Sequence, residues 1–362
     1  FYLQGRLLQD YYFLRRMNYQ PEGMNWQPFG GELRELWQEF QEMNYEFTTG
    51  YRTTANQLSF NAMLGGNIMH RLARSNSDSG TPFVIPGIYT LNNTLTKTPS
   101  MGKVESQTNS LFGMAEFGYN NYLYLTLTGR NDWFSTLPID NNNLFYPSAS
   151  LSFVFTDAFK LPENIISYGK LRSSFARVSG GAEPYSLDLE YGLDSKNYNG
   201  QVLQKINSSE IPNKKLRPLI SSEYEIGLES RLFNGLLYFD VAYYNKQVRD
   251  DIVSVTVSNT TGYSEAIMNT GNINNYGVEA MVEVKPINNR KFVWTSTAVF
   301  AKNYNKVIGL GGDIKSIQIG RAKNDGVFIN IDEGQPYGVI KGSVYKRDEK
   351  GNIISTTSIS TK

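Results

Sequence analysis

Polarity alternates residue by residue along much of the chain. In residues 237–246, Leu237, Phe239, Val241 and Tyr243 fall on one side of an extended segment, and Tyr238, Asp240, Ala242, Tyr244 and Lys246 on the other. A period of two is that of a β-strand. Within 222–232, Tyr224, Ile226, Leu228 and Leu232 oppose Glu223, Glu225, Glu229 and Arg231. Within 276–285, Val278, Ala280, Val282 and Val284 oppose Glu279, Met281, Glu283 and Lys285, and Leu123, Leu125 and Leu127 oppose Tyr122, Tyr124, Thr126, Thr128 and Arg130. Residues 291–302 mix aromatic and β-branched positions and have no face that can be oriented. The pattern predicts eleven strands, at about 1–13, 45–51, 56–65, 111–119, 122–130, 147–155, 167–178, 222–232, 236–248, 276–285 and 291–302.

The connections alternate long and short: 14–44 and 66–110 are long, 52–55 and "NN" at 120–121 short. The series continues with 131–146 long, 156–166 moderate, 179–221 very long, "FNG" at 233–235 short, 249–275 long and "PINNR" at 286–290 short. Sequential antiparallel strands return to the same end at every second connection, so this alternation gathers the long loops at one end. Asn-Asn and Asn-Gly supply the positive φ that tight hairpins need. A soluble Greek-key sandwich mixes the two kinds of connection. A membrane barrel separates them, as does a soluble up-and-down sheet with one elaborated edge.

Face composition bears on that choice. The alternating segments run about 9–11 residues, the length of a tilted membrane-crossing strand. A Lys or Arg facing lipid near the midplane costs ~2–4 kcal/mol. The clean faces (Leu123, Leu125, Leu127, Leu228, Leu237, Phe239, Val241, Val278, Val282) are therefore expected to meet lipid. The charged faces (Glu223, Glu225, Glu229, Arg231, Asp240, Glu279, Glu283) are expected to line a wet lumen. Aromatics gather at strand ends, Tyr119 and Tyr122 at one turn, Phe292 and Trp294 at another; girdles at headgroup level do this, and so do cross-strand pairs in any sheet.

Composition agrees with a β-protein: 24 Tyr, 20 Phe and 32 Gly in 362 residues. A net charge of +1 gives nothing for nucleic acid to grip. With no cysteine, thiol catalysis and thiolate metal sites are excluded. No apolar run approaches a membrane helix. The opening "FYLQGRLLQDYYF" lacks the regions of a signal peptide and reads as strand interior, so we expect the chain to begin within a longer protein. "GELRELWQEFQEMN" spaces Leu33, Leu36, Trp37, Phe40 and Met43 at helical intervals and predicts a helix on the rim or a docking helix.

Catalytic chemistry is thin. His70, the single histidine, falls in a predicted loop or rim and has no G-x-S-x-G motif to serve. Carboxylates such as Asp132, Glu183, Asp188 and Asp194 could pair for glycoside hydrolysis, yet any large β-protein offers such pairs. "GLGGDIKSIQIG" (309–320) is read as a mobile loop, because no helix follows to make a phosphate loop. "SNSDSG" (75–80) has too few ligands for an EF-hand pattern, which leaves weak calcium binding open. No enzyme activity, cofactor or metal is expected.

Several segments are similar to the barrel of the SusC/RagA family, TonB-dependent outer-membrane transporters of Bacteroidetes. They are "SLFGMAEFGYNNYLYLTLTGRNDWFSTLPIDNNNLFYPSASLSFVFTD" (110–157), "KLRSSFARVSG" (170–180), "IPNKKLRPLISSEYEIGLESRLFNGLLYFDVAYYNKQVRDDIV" (211–253), "NTGNINNYGVEAMVEVKP" (269–286) and "DEGQPYGVIKG" (332–342). "FNAMLGGNI" and "FVIPGIYTLNNT" (60–68 and 83–94) fit as well. The resemblance implies an all-β, antiparallel transmembrane β-barrel, 22-stranded in the family and plugged by an N-terminal domain, with long extracellular loops. Residues 1–362 then form part of that barrel, roughly half of its strands, with the plug domain and C-terminal strands not present in this sequence. It also implies active import of oligosaccharides or oligopeptides across the bacterial outer membrane. A SusD-like surface lipoprotein would form the lid, and the TonB complex would supply energy through the N-terminal part. Candidate substrate contacts are Asp132 and Trp133 at a strand mouth and Tyr185, Tyr191 and Tyr198 in the longest loop, aromatic platforms with polar groups beside them. The competing class is a non-transporting surface β-protein that binds carbohydrate.

Overall fold

In the computed structural model, described for residues 1–24, 30–206, 208–311, 314–322 and 326–354, the period-two segments are strands. Seven come first: β1 (Tyr2–Gln20), β2 (Glu32–Ala55), β3 (Leu58–Phe83), β4 (Thr94–Tyr119), β5 (Leu123–Phe134), β6 (Asn143–Val154) and β7 (Ile166–Gly180). A long connection holds β8 (Tyr191–Tyr198), β9 (Gln201–Ile206) and β10 (Glu210–Ile211). Next come β11 (Leu219–Leu232) and β12 (Leu237–Arg249), then β13 (Asp251–Thr256) and β14 (Glu265–Thr270) in another long connection. The chain continues through β15 (Asn272–Asn288) and β16 (Val293–Gly309) to β17 (Ser316–Arg321), β18 (Val327–Asp332) and β19 (Val339–Gly342). Eleven of these form one sheet in the order β1-β2-β3-β4-β5-β6-β7-β11-β12-β15-β16, each antiparallel to its neighbours. Every strand expected from the alternation is in it.

The short connections have the expected geometry. Asn120 and Asn121 both take positive φ (50° and 60°), the backbone of a tight hairpin turn, and Asn234 and Gly235 do the same at 54° and 82°. At this end the one longer link, between β6 and β7, carries the short helix α1 (Phe155–Phe159). Phe155 from that helix lies over Gly169, where an added Cβ would meet the ring at 2.1 Å.

Register carries the two faces across the whole sheet. The row Leu123–Phe153–Leu171–Leu228–Val241–Ala280–Phe300 runs over seven adjacent strands. The row above it contains Leu125, Leu151, Ile226, Tyr243 and Val278. This apolar face is the more exposed one: Leu228 is 38% exposed, Val241 37% and Val282 38%, while Glu223, Glu225, Glu229 and Asp240 opposite are half-buried. A water-soluble sheet puts its apolar side inside; this one is inverted.

Three expectations fail. The helix predicted from Leu33 to Met43 is the first half of β2, paired with β1 through Trp37↔Arg15 and with β3 through Trp37↔Asn76. Its apolar residues divide between both faces, Phe40 stacking on Tyr12 (5.0 Å) and Trp37 on Phe13 (5.4 Å). Two neighbouring ladders outcompete a local helical spacing. Residues 66–110 are not a long loop, because β3 and β4 run 26 residues each and leave only 84–93 between them. His70 and "SNSDSG" therefore lie inside β3. Of the Gly-rich 309–320 segment, residues 312 and 313 lie outside the described residues, and Ile317 on β17 is buried in an apolar cluster. Residues 316–320 are strand, and Leu310 joins Ile317 in that core, so the described part is not a mobile loop.

Gly277 on β15 has no room for a side chain: a Cβ would sit 2.4 Å from the Lys302 carbonyl and 2.7 Å from the Tyr244 hydroxyl. Gly277→Ala should lower stability by about 1–3 kcal/mol through overpacking. Thermal unfolding of the full-length protein in detergent measures this, with Gly5→Ala, where the space is open, as the silent control.

Candidate functional site

The polar face of β7, β11 and β12 carries a ladder of ion pairs. Lys170 Nζ lies 2.6 Å from Glu229 Oε2, and the Tyr238 hydroxyl donates to Glu229 Oε1 at 3.3 Å. Arg172 spans two neighbours, 3.2 Å from Glu225 and 2.7 Å from Asp240. It crosses over Gly227, where a Cβ would meet its guanidinium carbon at 2.5 Å. Arg231 lies between the rings of Tyr168 (5.7 Å) and Tyr238 (5.6 Å), and Lys285 pairs with Glu283 at 2.9 Å. Glu223 shares this face as the cross-strand partner of Lys246. Beside the ladder is a recess of about 430 Å³ lined by Arg172, Asp240, Glu279, Met281 and Val299. All seven predicted charged-face residues lie on one side of the sheet, and the nine predicted apolar-face residues lie on the other.

A second polar cluster surrounds Asp132. Its side chain is buried (6% exposed), paired to Arg130 at 2.7 Å and hydrogen-bonded by the Tyr146 hydroxyl. Arg130 also donates to Ser110 Oγ at 2.7 Å and lies over the Phe112 ring. Strand alternation then sends Trp133 to the opposite face, where it joins Tyr45, Phe47, Leu64, Ile68 and Leu111 around an apolar recess of about 800 Å³. Asp132 and Trp133 are neighbours in sequence and do not share a site.

At the long-loop end, four connections are sewn together. Leu137, Ala182 and Leu216 form one buried cluster with Phe134, Leu187, Ile252 and Ile267 around it; Val307, Leu310, Ile317 and Ile331 form another. Asn269 clamps two loops, donating to the Arg217 carbonyl (2.8 Å) and the Asp250 carbonyl (2.9 Å) and accepting from Arg217 N (2.8 Å). Arg217 pairs with Asp250 at 2.5 Å. Arg217 and Asn269 fall in two of the segments that carry the family resemblance, but nothing in the local sequence shows that they meet. Tyr185, at φ 67°, accepts from Glu105 N (3.3 Å) and lines a recess of about 200 Å³ with Asp188 and Glu190. Tyr191 and Tyr198 are exposed (73% and 68%) on the β8–β9 hairpin, apart from that recess.

Carboxylates in this layer titrate unusually. Burial, and then the Glu210 carboxylate across the parallel Glu210↔Glu265 bridge, hold the Glu265 pKa above its ordinary value of 4.5. Burial does the same to Asp251. Lys341 and Ser316 hold Asp332 below 3.8.

Two outcomes follow from these geometries. Arg172→Ala leaves two half-buried carboxylates without their cation and should destabilise by about 1–3 kcal/mol, part of which Arg172→Ala/Asp240→Asn recovers; a thermal double-mutant cycle reads this. A raised acid pKa in the folded state adds stability below the unfolded value and loses it as pH rises through the folded value. Amide exchange in β13 and β14, corrected for intrinsic rates, should therefore be more protected below pH 4.5 than at pH 7, and Glu265→Gln should flatten that difference.

Comparison with known proteins places this geometry. The family described as "TonB dependent receptor-like, beta-barrel" matches residues 3–344. TonB-dependent receptor P26 of Formosa agariphila is 26% identical over 276 residues, 74% of this chain and 28% of that protein. TonB-dependent receptor SusC of Bacteroides thetaiotaomicron is 23% identical over 289 residues, 75% of this chain and 28% of that protein. The chain thus spans under a third of the length of the curated relatives it matches. The RagAB peptide transporter superposes with a TM-score of 0.77 at 18% identity, over 92% of this chain and 37% of that one. At 13% identity, the Escherichia coli outer-membrane transporter YddB still superposes at 0.54, over 84% and 40%. The eleven-stranded sheet is a partial barrel, its location is the bacterial outer membrane, and the chain belongs to the TonB-dependent receptor-like β-barrel family.

Proposed function

We propose that the protein containing this chain actively imports oligosaccharides or oligopeptides across the outer membrane, and that this chain is the barrel wall beside their path. The inverted sheet carries the reading: apolar residues are the exposed side and half-buried ion pairs the other. Leu123, Leu125, Leu127, Leu228, Leu237, Phe239, Val241, Val278 and Val282 meet hydrocarbon. Glu223, Glu225, Glu229, Arg231, Asp240, Glu279 and Glu283 line a water-filled lumen. A dry core does not hold so many charges, whereas a wet channel does.

Aromatics bound the apolar band on a diagonal. Tyr276 and Tyr304 are stacked at 5.3 Å. Tyr243, Tyr224, Phe175, Phe145 and Trp133 continue the line on the same face toward Tyr45. At the short-turn end Tyr119, Tyr122, Phe153 and Phe159 form an edge-to-face chain. Two aromatic rims flanking an apolar band are what a bilayer selects. On this reading Trp133 is a rim anchor. Asp132, Tyr185, Tyr191 and Tyr198 remain on the aqueous path, with the Arg172–Asp240–Glu279 recess as a further contact.

The sewn loop layer faces outside the cell and offers a broad surface for a SusD-like lipoprotein lid. Energy would come from the TonB complex. That the fold neighbour RagAB is a peptide transporter favours keeping peptides beside glycans as cargo. The family is one of receptors and transporters, and the protein is read as a non-enzyme.

Val241→Arg should destabilise the full-length protein by ~2–4 kcal/mol in lipid vesicles, whereas Glu279→Lys on the opposite face should change it by less than about 1 kcal/mol; urea titration of folding into vesicles measures both. Calorimetric titration of the purified protein with defined oligosaccharides and oligopeptides should show binding of one class, and deletion should abolish growth on that class. Recovery of the protein in the soluble fraction, or unchanged uptake after deletion, would overturn the transport reading.

A further inference from the structure

From β7 to β16, charges on the apolar side are sorted by sign. On β7, β11, β12, β15 and β16, the positions that share a face with Leu228 and Val241 carry Arg177, Arg249, Lys302 and Lys306 and no carboxylate. Every Asp and Glu of those strand segments from the apolar band to the girdle points the other way. The four cations bracket the aromatic row in depth. Arg177 faces Ser222, Gln247 and Asn274 follow, and Lys306 closes the same row, one step beyond the row holding Phe175, Tyr224, Tyr276 and Tyr304. Arg249 lies one step further out. Lys302 lies two steps inward of Lys306, across from Val278 and just below the aromatic row, with its Nζ 5.0 Å from the Tyr304 ring centroid.

None of the four is neutralised by an ion pair among the described residues. Arg249 donates to Gln247 Oε1 at 2.7 Å, a neutral partner. The Arg177 Nε–H is buried without an acceptor. Lys302 leans on an aromatic face. Elsewhere the chain pairs its strand cations readily, as Lys170, Arg172 and Arg130 show. Unpaired cations on both sides of an aromatic girdle, three above it and Lys302 reaching its Nζ up to the Tyr304 ring from just below, sit where a bilayer carries its phosphates, and basic side chains there are drawn to anionic head groups.

We propose that this cation belt binds the phosphate-bearing head groups of outer-leaflet lipids, so that the barrel gathers an anionic lipid annulus along β7–β16. The proposal rests on the reading that the apolar face meets hydrocarbon. Uncharged Ser222, Asn245, Gln247 and Asn274 between the cations supply hydrogen bonds to phosphate oxygens and sugar hydroxyls without repelling them. The ladder of carboxylates on the opposite face is screened from these groups by the sheet itself.

The test uses the full-length protein in nanodiscs of phosphatidylcholine doped with diphosphorylated lipid A, with the lipid retained after extraction quantified by mass spectrometry. Wild type should enrich lipid A several-fold over the bulk composition. Replacing all four cations (R177Q, R249Q, K302Q, K306Q) should cut that enrichment about tenfold or more, since each basic residue near an anionic surface is worth roughly fivefold. The charge-preserving set (R177K, R249K, K302R, K306R) should retain it. Heat-modifiable mobility on gels confirms insertion of every variant, and its loss in wild type would instead sink the membrane reading. With insertion intact, equal composition of annulus and bulk overturns the belt, as does enrichment that the glutamine set leaves unchanged. Competition by millimolar inorganic phosphate at constant ionic strength would also overturn it, by showing a free-anion site.

Discussion

Backbone hydrogen bonding in a solvent that offers none is the constraint from which the architecture follows. Inside hydrocarbon each unpaired N–H or C=O costs several kcal/mol, so a strand survives only when laddered on both sides. Nine of the eleven sheet strands meet that condition within this chain. The edges of β1 and β16 meet it when a barrel closes around them. Once every backbone group is committed to the ladder, the side chains have only two directions left. One points into lipid and the other into the lumen, and the period of two becomes a partition between solvents.

That partition decides where charge can go. Burying an ionised group in a low dielectric is expensive unless it is paired, and the polar face solves this with bridging cations. Arg172 serves Glu225 and Asp240 together, and Lys170 serves Glu229 beside the Tyr238 hydroxyl. Such a network ties three strands by their side chains as well as by their backbone. On β7–β16 the few cations of the other face lie around the aromatic row and beyond it, where a long side chain can carry its charge outward. The charge pattern and the depth of the band are thus two readings of the same boundary.

All eleven sheet strands, and the two faces of β5, β11, β12 and β15, are legible in the sequence, because alternation is a local signal; on β16, where aromatic and β-branched residues mix, the face is not. Nor is strand length. β3 and β4 continue past the apolar band as a paired ribbon, and out there alternation gives way. Segments such as "RLARSNSDSG" therefore carry polar residues on both faces. The same loss of constraint misled the reading of Leu33–Met43: apolar residues on both faces of β2 mimic the spacing of a helix. What holds them extended is non-local, a pairing with β1 and β3 that no window of fifteen residues contains. The site was legible in part. Alternation separates Asp132 from Trp133 as soon as both are placed in one strand, whereas the Asn269 clamp and the Arg172 bridge depend on loops and strands far apart in sequence.

The sewn loops give the long-connection end of this wall a packed layer of its own. Surface loops left unpacked are mobile. Here the connections share buried clusters: Leu137 of one loop meets Leu216 of another, and Ile252 and Ile267 of a third pack on both. The strands beneath are fixed by their ladder. The hairpin that carries Tyr191 and Tyr198 is the exception, with no buried residue of its own among those described. One end of the sheet thus combines connections anchored in shared cores with an arm held by its backbone ladder.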